Sequence, residues 1–329
     1  MIITDIINEM SGLERLIYSL RALYGKRGFR QYQMSKFEEY DLYAKNRDFL
    51  ASEQIISFTD TDGKLMALKP DVTLSIIKNM QDDPRGLQKL YYDERVYRVS
   101  QGSGSFQELR QLGLECMGAV DDEALLEVLS LACESLLQIG GEAILELSQI
   151  DILRGLFDCM GLSYSQWDRL LPVIQSKNLK ALERLLGELC EGSRSERADA
   201  AGTFLKKLVA APGDPGQIIG LLREAGDLID QAKADQLESL INALPEEYRA
   251  IIRIDFSLTG NSRYYNDIIF QGYIQGIPSR VLAGGQYDRM MQRMGRSSRA
   301  CGFAIYLNLL ERSLGQWKSA EELARGEEA

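Results

Sequence analysis

Hydrophobic positions recur along the chain at two spacings, and the switches between them lay out its plan. Over residues 11–26, Leu13, Leu16, Ile17, Leu20, Leu23 and Tyr24 share one stripe of a helix. Ser11 is placed to cap its start and Gly28 to stop it. A short strand is expected over 29–34, after which KFEEYDLYAK runs toward another helix or an irregular edge. Strands over 55–59 and 65–68 flank Asp60-Thr61-Asp62-Gly63-Lys64, whose Asp-Gly pair signals a hairpin. Pro70 is then expected in the first turn of a helix, leaving Asp71 and Thr73 exposed at its positive end.

Residues 90–118 form two extended runs hinged on Gln101-Gly102-Ser103-Gly104-Ser105. An apolar helix over 121–137 ends at Gly140-Gly141, and a strand follows over 143–147. From about 161 to 244 the texture is helical, with LKALERLLGELC, ADAAGTFLKKLV, GQIIGLLREAG and ADQLESLINAL separated by Gly, Pro and Ser breaks. Strand character returns over 251–256, 267–274 and 280–283; Gly284-Gly285-Gln286-Tyr287-Asp288 leads into a helix, and a last helix is expected over 300–314. Mostly antiparallel strands with helices on one side, interrupted once by helices, make an α+β plan. The expected division is a core over 1–160, an all-helical insertion over 161–247, the rest of the core over 248–316 and an acidic tail over 317–329. The leucine stripes of the insertion read as its own core, with a groove for a partner as the alternative.

The second extended run carries the chemistry. Alternation sends Gln111, Gly113 and Glu115 to one face and Arg110, Leu112 and Leu114 to the other. A glycine inside a strand marks close approach of a ligand or of another backbone. Arg98, on the first run, offers a planar fork suited to a carboxylate or phosphate. An ordinary hairpin with one wet face remains the alternative. Capping is likewise the alternative for Asp71 and Thr73, and a simple turn for Gly284 and Gly285, which otherwise let a backbone lie against a small ligand.

Composition narrows the choice. The 329 residues are 45% hydrophobic and 26% charged, with a net charge of -10 that disfavours broad electrostatic binding of nucleic acid. No apolar run approaches the roughly 20 residues of a membrane span. MIITDIINE carries acids where a secretory signal carries bases, so a cytoplasmic protein is expected. Five scattered cysteines read as reduced thiols, and no pair has metal-ligand spacing. The Asp60–Lys64 turn fails as a calcium loop, because Phe58 and Lys69 fall where its first and last ligands belong. Neither a phosphate loop nor a dinucleotide fingerprint occurs, and neither a metal nor a cofactor is expected. There is no histidine, which excludes a His base, a His-ligated metal and a Ser-His-Asp triad. A protein needed when histidine is scarce gains by containing none.

Taken together, LKPDVT at 68–73, the YRV…QLGLECMG hairpin, YYNDIIF at 264–270, AGGQYD at 283–288 and GFAIYLNLL at 302–310 resemble the histidyl-tRNA synthetase family of class II catalytic domains. The resemblance extends to about residue 312 and implies a class II synthetase-like antiparallel sheet flanked by helices. It implies that Asp71, Thr73 and Gln111 meet an α-amino group, that Arg98 meets a carboxylate, and that Glu115 and Tyr265 read an imidazole. Tyr264, Gly284, Gly285 and Tyr287 complete the implied histidine site.

The departures are as telling as the matches. Ser100 stands where the second motif carries a Glu, Leu309 where the third carries an Arg, and Gly260 where the histidine enzymes add an Arg. Arg263 lies three residues displaced, and Met34-Ser35 replaces the first-motif proline. Adenylate formation relies on preorganised positive charge, so these losses imply a chain that is not an enzyme. The chain also stops where an anticodon-binding domain is expected. It therefore resembles the regulatory subunits of short-form ATP phosphoribosyltransferase, which are usually dimeric, join a short catalytic subunit and relay feedback inhibition by histidine. An amino-acid-activating ligase or histidyl-tRNA synthetase-like enzyme is the alternative.

Overall fold

The computed structural model describes residues 10–50, 54–100, 103–190, 195–260 and 264–311. The turn residues Gln101 and Gly102, Arg263 and the acidic tail at 317–329 lie outside the described residues.

Helix α1 (Gly12–Lys26) begins on a capping box between Ser11 and Glu14 and buries the expected stripe. It leads to β1 (Arg30–Gln31), β2 (Phe37–Glu39) and α2 (Tyr40–Ala44). The Asp-Gly hairpin is present as β3 (Ser57–Thr59) and β4 (Leu65–Leu68), which join β2 in a three-stranded sheet of order β2-β4-β3. Helix α3 (Thr73–Asn79) starts three residues after Pro70, and the Asp71 carboxylate accepts from the Leu74 backbone N–H at 2.9 Å. Thr73, expected to be exposed, is buried.

The central hairpin is β5 (Leu87–Val99) and β6 (Phe106–Gly118), paired without a break from end to end. Then come α4 (Asp122–Ile139), β7 (Ala143–Gln149) and α5 (Ile150–Cys159). The helical stretch follows as α6 (Tyr164–Gln175), α7 (Leu179–Cys190), α8 (Glu196–Ala210), α9 (Pro215–Glu224) and α10 (Gln231–Ala243). Ser195, Asp214 and Asp230 each accept an N-terminal backbone N–H of the helix they precede, which is why polar breaks in the sequence mark these starts. Helix α11 (Glu246–Ile251), β8 (Ile252–Ile254), β9 (Asn266–Ile274), β10 (Leu282–Gln286), α12 (Asp288–Arg293) and β11 (Arg299–Tyr306) complete the described chain.

Two further readings are corrected. The segment beginning at 300 is strand up to Tyr306 and turns helical only at 307–311. Cys301, Gly302 and Phe303 are buried in succession, which erases the alternation that would have marked a strand. Gly284 and Gly285 lie inside β10 and not in a turn.

Eight strands form one sheet in the order β1-β5-β6-β11-β10-β9-β7-β8; β1 with β5 and β7 with β8 run parallel, and the other pairings are antiparallel. One face carries α1 and α4 over a core that includes Leu112, Leu114, Phe270 and Phe303. The buried side chains of α6 to α10, such as Leu182, Leu205, Leu222 and Leu240, are continuous with that core. The other face holds a second core around Tyr43, Val72, Tyr92, Met117 and Tyr287. The sheet is thus covered on both faces, and between the second core and the far strands it leaves a recess. No helix among the described residues is long and apolar enough to cross a membrane.

Candidate functional site

Strand register lays the floor of the recess. Residues opposite one another across antiparallel strands share a face. One rung therefore runs Tyr92, Gly113, Ala304, Ala283, Gln271 and Glu146 across six strands. The next runs Glu115, Gly302, Gly285, Ile269 and Ser148. The recess has a volume of about 980 Å3. Small residues in mid-rung keep it open.

Glu115 is the node. Its side chain is 2% exposed; Thr73 Oγ1 donates to one carboxyl oxygen at 2.7 Å and the Tyr287 hydroxyl donates to the other at 2.5 Å. Burial pushes its pKa up to about 8 against the opposing pull of those two hydrogen bonds, and the nearby Asp71 carboxylate adds to the rise. Asp71 is itself raised by burial, with Arg98 acting in the opposite direction. Arg98 Nε donates to the Pro70 carbonyl at 3.0 Å, tying the hairpin to the segment that presents Asp71 and Thr73. Asp71 both caps α3 and lines the recess, so the two readings of that position are compatible.

Aromatic rings close one side. The centroids of Tyr264 and Tyr265 are 4.4 Å apart, those of Tyr264 and Tyr287 5.7 Å, and Phe49 meets Tyr264 edge-on at 6.1 Å. Burial raises the pKa of all three tyrosines, so their hydroxyls stay protonated and act as neutral hydrogen-bonding groups.

Asp71, Thr73, Arg98, Gln111, Glu115, Tyr264, Tyr265 and Tyr287 all line this one recess, although they come from five separated segments. Gly284 and Gly285 do not line it. A Cβ on Gly284 would meet Phe270 and Phe303, and one on Gly285 would stand 2.9 Å from the Tyr265 ring. Gly113 also earns its place by close approach, since its Cβ would stand 2.4 Å from the Tyr92 hydroxyl oxygen.

Sequence reasoning missed the far end of the recess, where Glu146, Gln175, Thr259, Gln271, Tyr273 and Arg280 gather. Only the register of β9 against β7 brings Gln271 and Glu146 together, and no local motif carries that information. Gly260, Leu309 and Asn308 line the recess as well, and the side-chain amide oxygen of Asn308 is buried with no hydrogen-bond partner. Among the described residues no group of three His, Cys, Asp or Glu side chains could hold a metal ion.

A family model described as histidyl-tRNA synthetase matches residues 6–310. The ATP phosphoribosyltransferase regulatory subunit of Alkaliphilus metalliredigens is 27% identical over 306 residues, covering 90% of this chain and 76% of that protein. The protein of the same name from Clostridium novyi is 29% identical over 306 residues, covering 89% and 70%. Among solved structures, an ATP phosphoribosyltransferase regulatory subunit/histidyl-tRNA synthetase from Bacillus halodurans superposes with a TM-score of 0.76 at 22% identity, covering 96% of this chain and 86% of that one. A chain of the ATP phosphoribosyl transferase (HisG:HisZ) complex from Thermotoga maritima gives a TM-score of 0.70 at 21% identity, covering 91% and 98%. At these identities the superpositions establish the fold.

Proposed function

The chain belongs to the histidyl-tRNA synthetase family, and from that premise we propose that it is the noncatalytic regulatory subunit of a short-form ATP phosphoribosyltransferase. In this reading it works in the cytoplasm as a homodimer within a hetero-oligomer, activates a short catalytic subunit and carries feedback inhibition by histidine. Residues 1–160 and 248–316 serve as the synthetase-like core and 161–247 as the helical insertion. Relatives that align with about nine-tenths of the chain bear that subunit's name.

What supports the reading is that one recess is lined by Asp71, Thr73, Arg98, Gln111 and Glu115, groups suited to a free amino acid, and also by the uncharged Gly260 and Leu309. Glu115 is buried between Thr73 and Tyr287, and a carboxyl group so placed gains from a bound N–H donor such as an imidazole. Asp71 and Gln111 supply acceptors for an α-amino group, and Arg98 a cation for a carboxylate. Leu309 and Gly260, in contrast, put no charge where a pentavalent phosphate needs it, and Ser100 offers no carboxylate. Histidine bound in the recess shifts the assembly only as far as its affinity differs between the active and inhibited states.

The test is co-purification with a short-form catalytic subunit, followed by phosphoribosyl transfer assays with and without L-histidine. Activation by this chain and its loss on adding histidine are expected. Robust histidine-dependent exchange of pyrophosphate into ATP by this chain alone would show an amino-acid-activating enzyme instead.

A further inference from the structure

The recess is too long for one amino acid. Its volume of about 980 Å3 lies at the upper end of the roughly 300–1,000 Å3 of small-molecule sites. From Glu115 on β6 to Glu146 on β7 the sheet steps across β11, β10 and β9. Four strand spacings of about 4.8 Å make this roughly 19 Å. Between the two ends the floor is Ala304 and Ala283, which leave the trough open.

The far end has its own chemistry. Glu146 is half-buried and makes no ion pair among the described residues. The charge of Lys177 acts on it, but that ammonium is held by Asp255 at 2.6 Å. Burial and the Asp255 charge hold the Glu146 pKa above the usual carboxylate range, against the opposing pull of Lys177 and of a hydrogen bond from Tyr273. Beside it, Tyr273 donates to Gln271 Oε1 at 3.0 Å, which fixes the orientation of the Gln271 amide and leaves the second lone pair of that oxygen to accept. On the opposite wall Gln175, at the end of α6, donates to Thr259 at 2.8 Å, pinning the helical segment to the 257–260 loop. Across the whole recess the acids Asp71, Glu115 and Glu146 face the guanidinium of Arg98 and, at the exposed rim, that of Arg280.

We propose that this distal compartment binds a protonated primary amine, with Glu146 as its counter-ion, Gln271 as a hydrogen-bond acceptor and the Tyr273 ring as a cation-binding wall. An ammonium is what a half-buried carboxylate without a cationic partner, flanked by an aromatic ring, accommodates best. The amine has two possible sources: a separate small amine seated beside an amino acid in the Glu115 end, or the terminus of one extended ligand filling the recess.

Calorimetric titration of the whole protein with cadaverine, spermidine and 1,5-pentanediol tests this. Cadaverine and spermidine should bind and the diol should not. Glu146→Gln, which preserves shape, should weaken amine binding at least tenfold while L-histidine affinity stays as in the unsubstituted protein. Gln271→Ala gives a second reading, with a smaller loss, should Glu146→Gln melt at a lower temperature. Cadaverine that still binds at saturating L-histidine identifies a separate amine; mutual exclusion identifies an extended ligand. Absence of amine binding at millimolar concentration, equal binding of the diol, or indifference to Glu146→Gln overturns the assignment. Failure of L-histidine to bind while the amines do counts against the effector reading alone.

Discussion

Glu115 and Gly302 face each other across β6 and β11, and the glycine is what gives the carboxyl group its room. A Cβ at 302 would stand 2.0 Å from Glu115 Oε2 and 2.3 Å from the Leu114 carbonyl oxygen. One of those neighbours is backbone, so the clash cannot be relieved by a side-chain swing alone. Gly302→Ala should therefore displace Glu115 from Thr73 and Tyr287. Overpacking of this kind costs about 1–3 kcal/mol. Denaturant unfolding should show the loss, and calorimetry should show L-histidine affinity falling with it; an alanine variant with unchanged affinity would separate the glycine from the site.

Glu115 should also leave a signature in the pH dependence of stability. Its folded pKa, about 8, lies above the ordinary carboxylate value, because burial penalises the charge. Between roughly pH 4.5 and 8 the unfolded chain releases this proton while the folded chain retains it. The group's contribution is thus fully present below that window and fades as pH rises through it, by at most about 1.4 kcal/mol per pH unit. Glu115→Gln removes the titration. Urea unfolding at a series of pH values should show a decline for the unsubstituted protein that is shallower in the variant, and parallel curves would mean that Glu115 is ionised when folded.

Much of this site could be read from single segments. Alternation alone put Gln111, Gly113 and Glu115 on one face, and the close approach expected at Gly113 is that of the Tyr92 side chain and the Phe303 backbone. Ser11 and Gly28 bounded α1 as read, because capping and left-handed stops act locally. What escaped was non-local. Glu146 looks like one polar residue on an ordinary strand until β9 brings Gln271 beside it. The strand over Arg299–Tyr306 was hidden because the middle of a sheet buries both faces, and continuous burial has no period to detect.

A clip far from the recess should respond to acid in the opposite sense. Asp82 accepts from the backbone N–H of Ser297 at 2.9 Å and of Ser298 at 3.1 Å, and from both serine hydroxyls. These hydrogen bonds, led by the Ser297 backbone, draw its pKa down to about 2. A depressed carboxyl contributes stability above its unfolded pKa and loses it as pH falls toward the folded value. Asp82→Ala should lower the melting temperature at pH 7, with the gap to the unsubstituted protein narrowing steadily between pH 4 and pH 2. A gap that persists unchanged at pH 2 would show that the serines do not depend on the ionised carboxylate.

The segment carrying Asp71 and Thr73 is held from behind by a buried ion pair. The Lys69 side chain is fully buried, and its ammonium lies 2.7 Å from Glu94 Oε2 on β5. Burial works to lower the lysine pKa, and Glu94 works to restore it. Removing one partner of such a pair strands the other and costs about 3–5 kcal/mol, whereas replacing both with apolar groups of similar size is often close to neutral. Lys69→Met should therefore destabilise the fold strongly, and Lys69→Met with Glu94→Leu should recover most of the loss in a denaturant-unfolding cycle. Recovery of stability need not restore function. Lys69 also accepts from the Tyr97 N–H at 2.8 Å through its backbone carbonyl, so the double variant retains that strand contact and tests the side chains alone. Glu94 lies directly across from Gln111 in the hairpin register, and it also accepts from the Met34 N–H at 3.3 Å. The ion pair thus links the chain before β2 to the wall of the recess. If it positions Asp71 and Thr73 for an amino acid, the stable double variant should bind L-histidine several-fold more weakly. Equal binding in a fully recovered fold would confine the pair to stability.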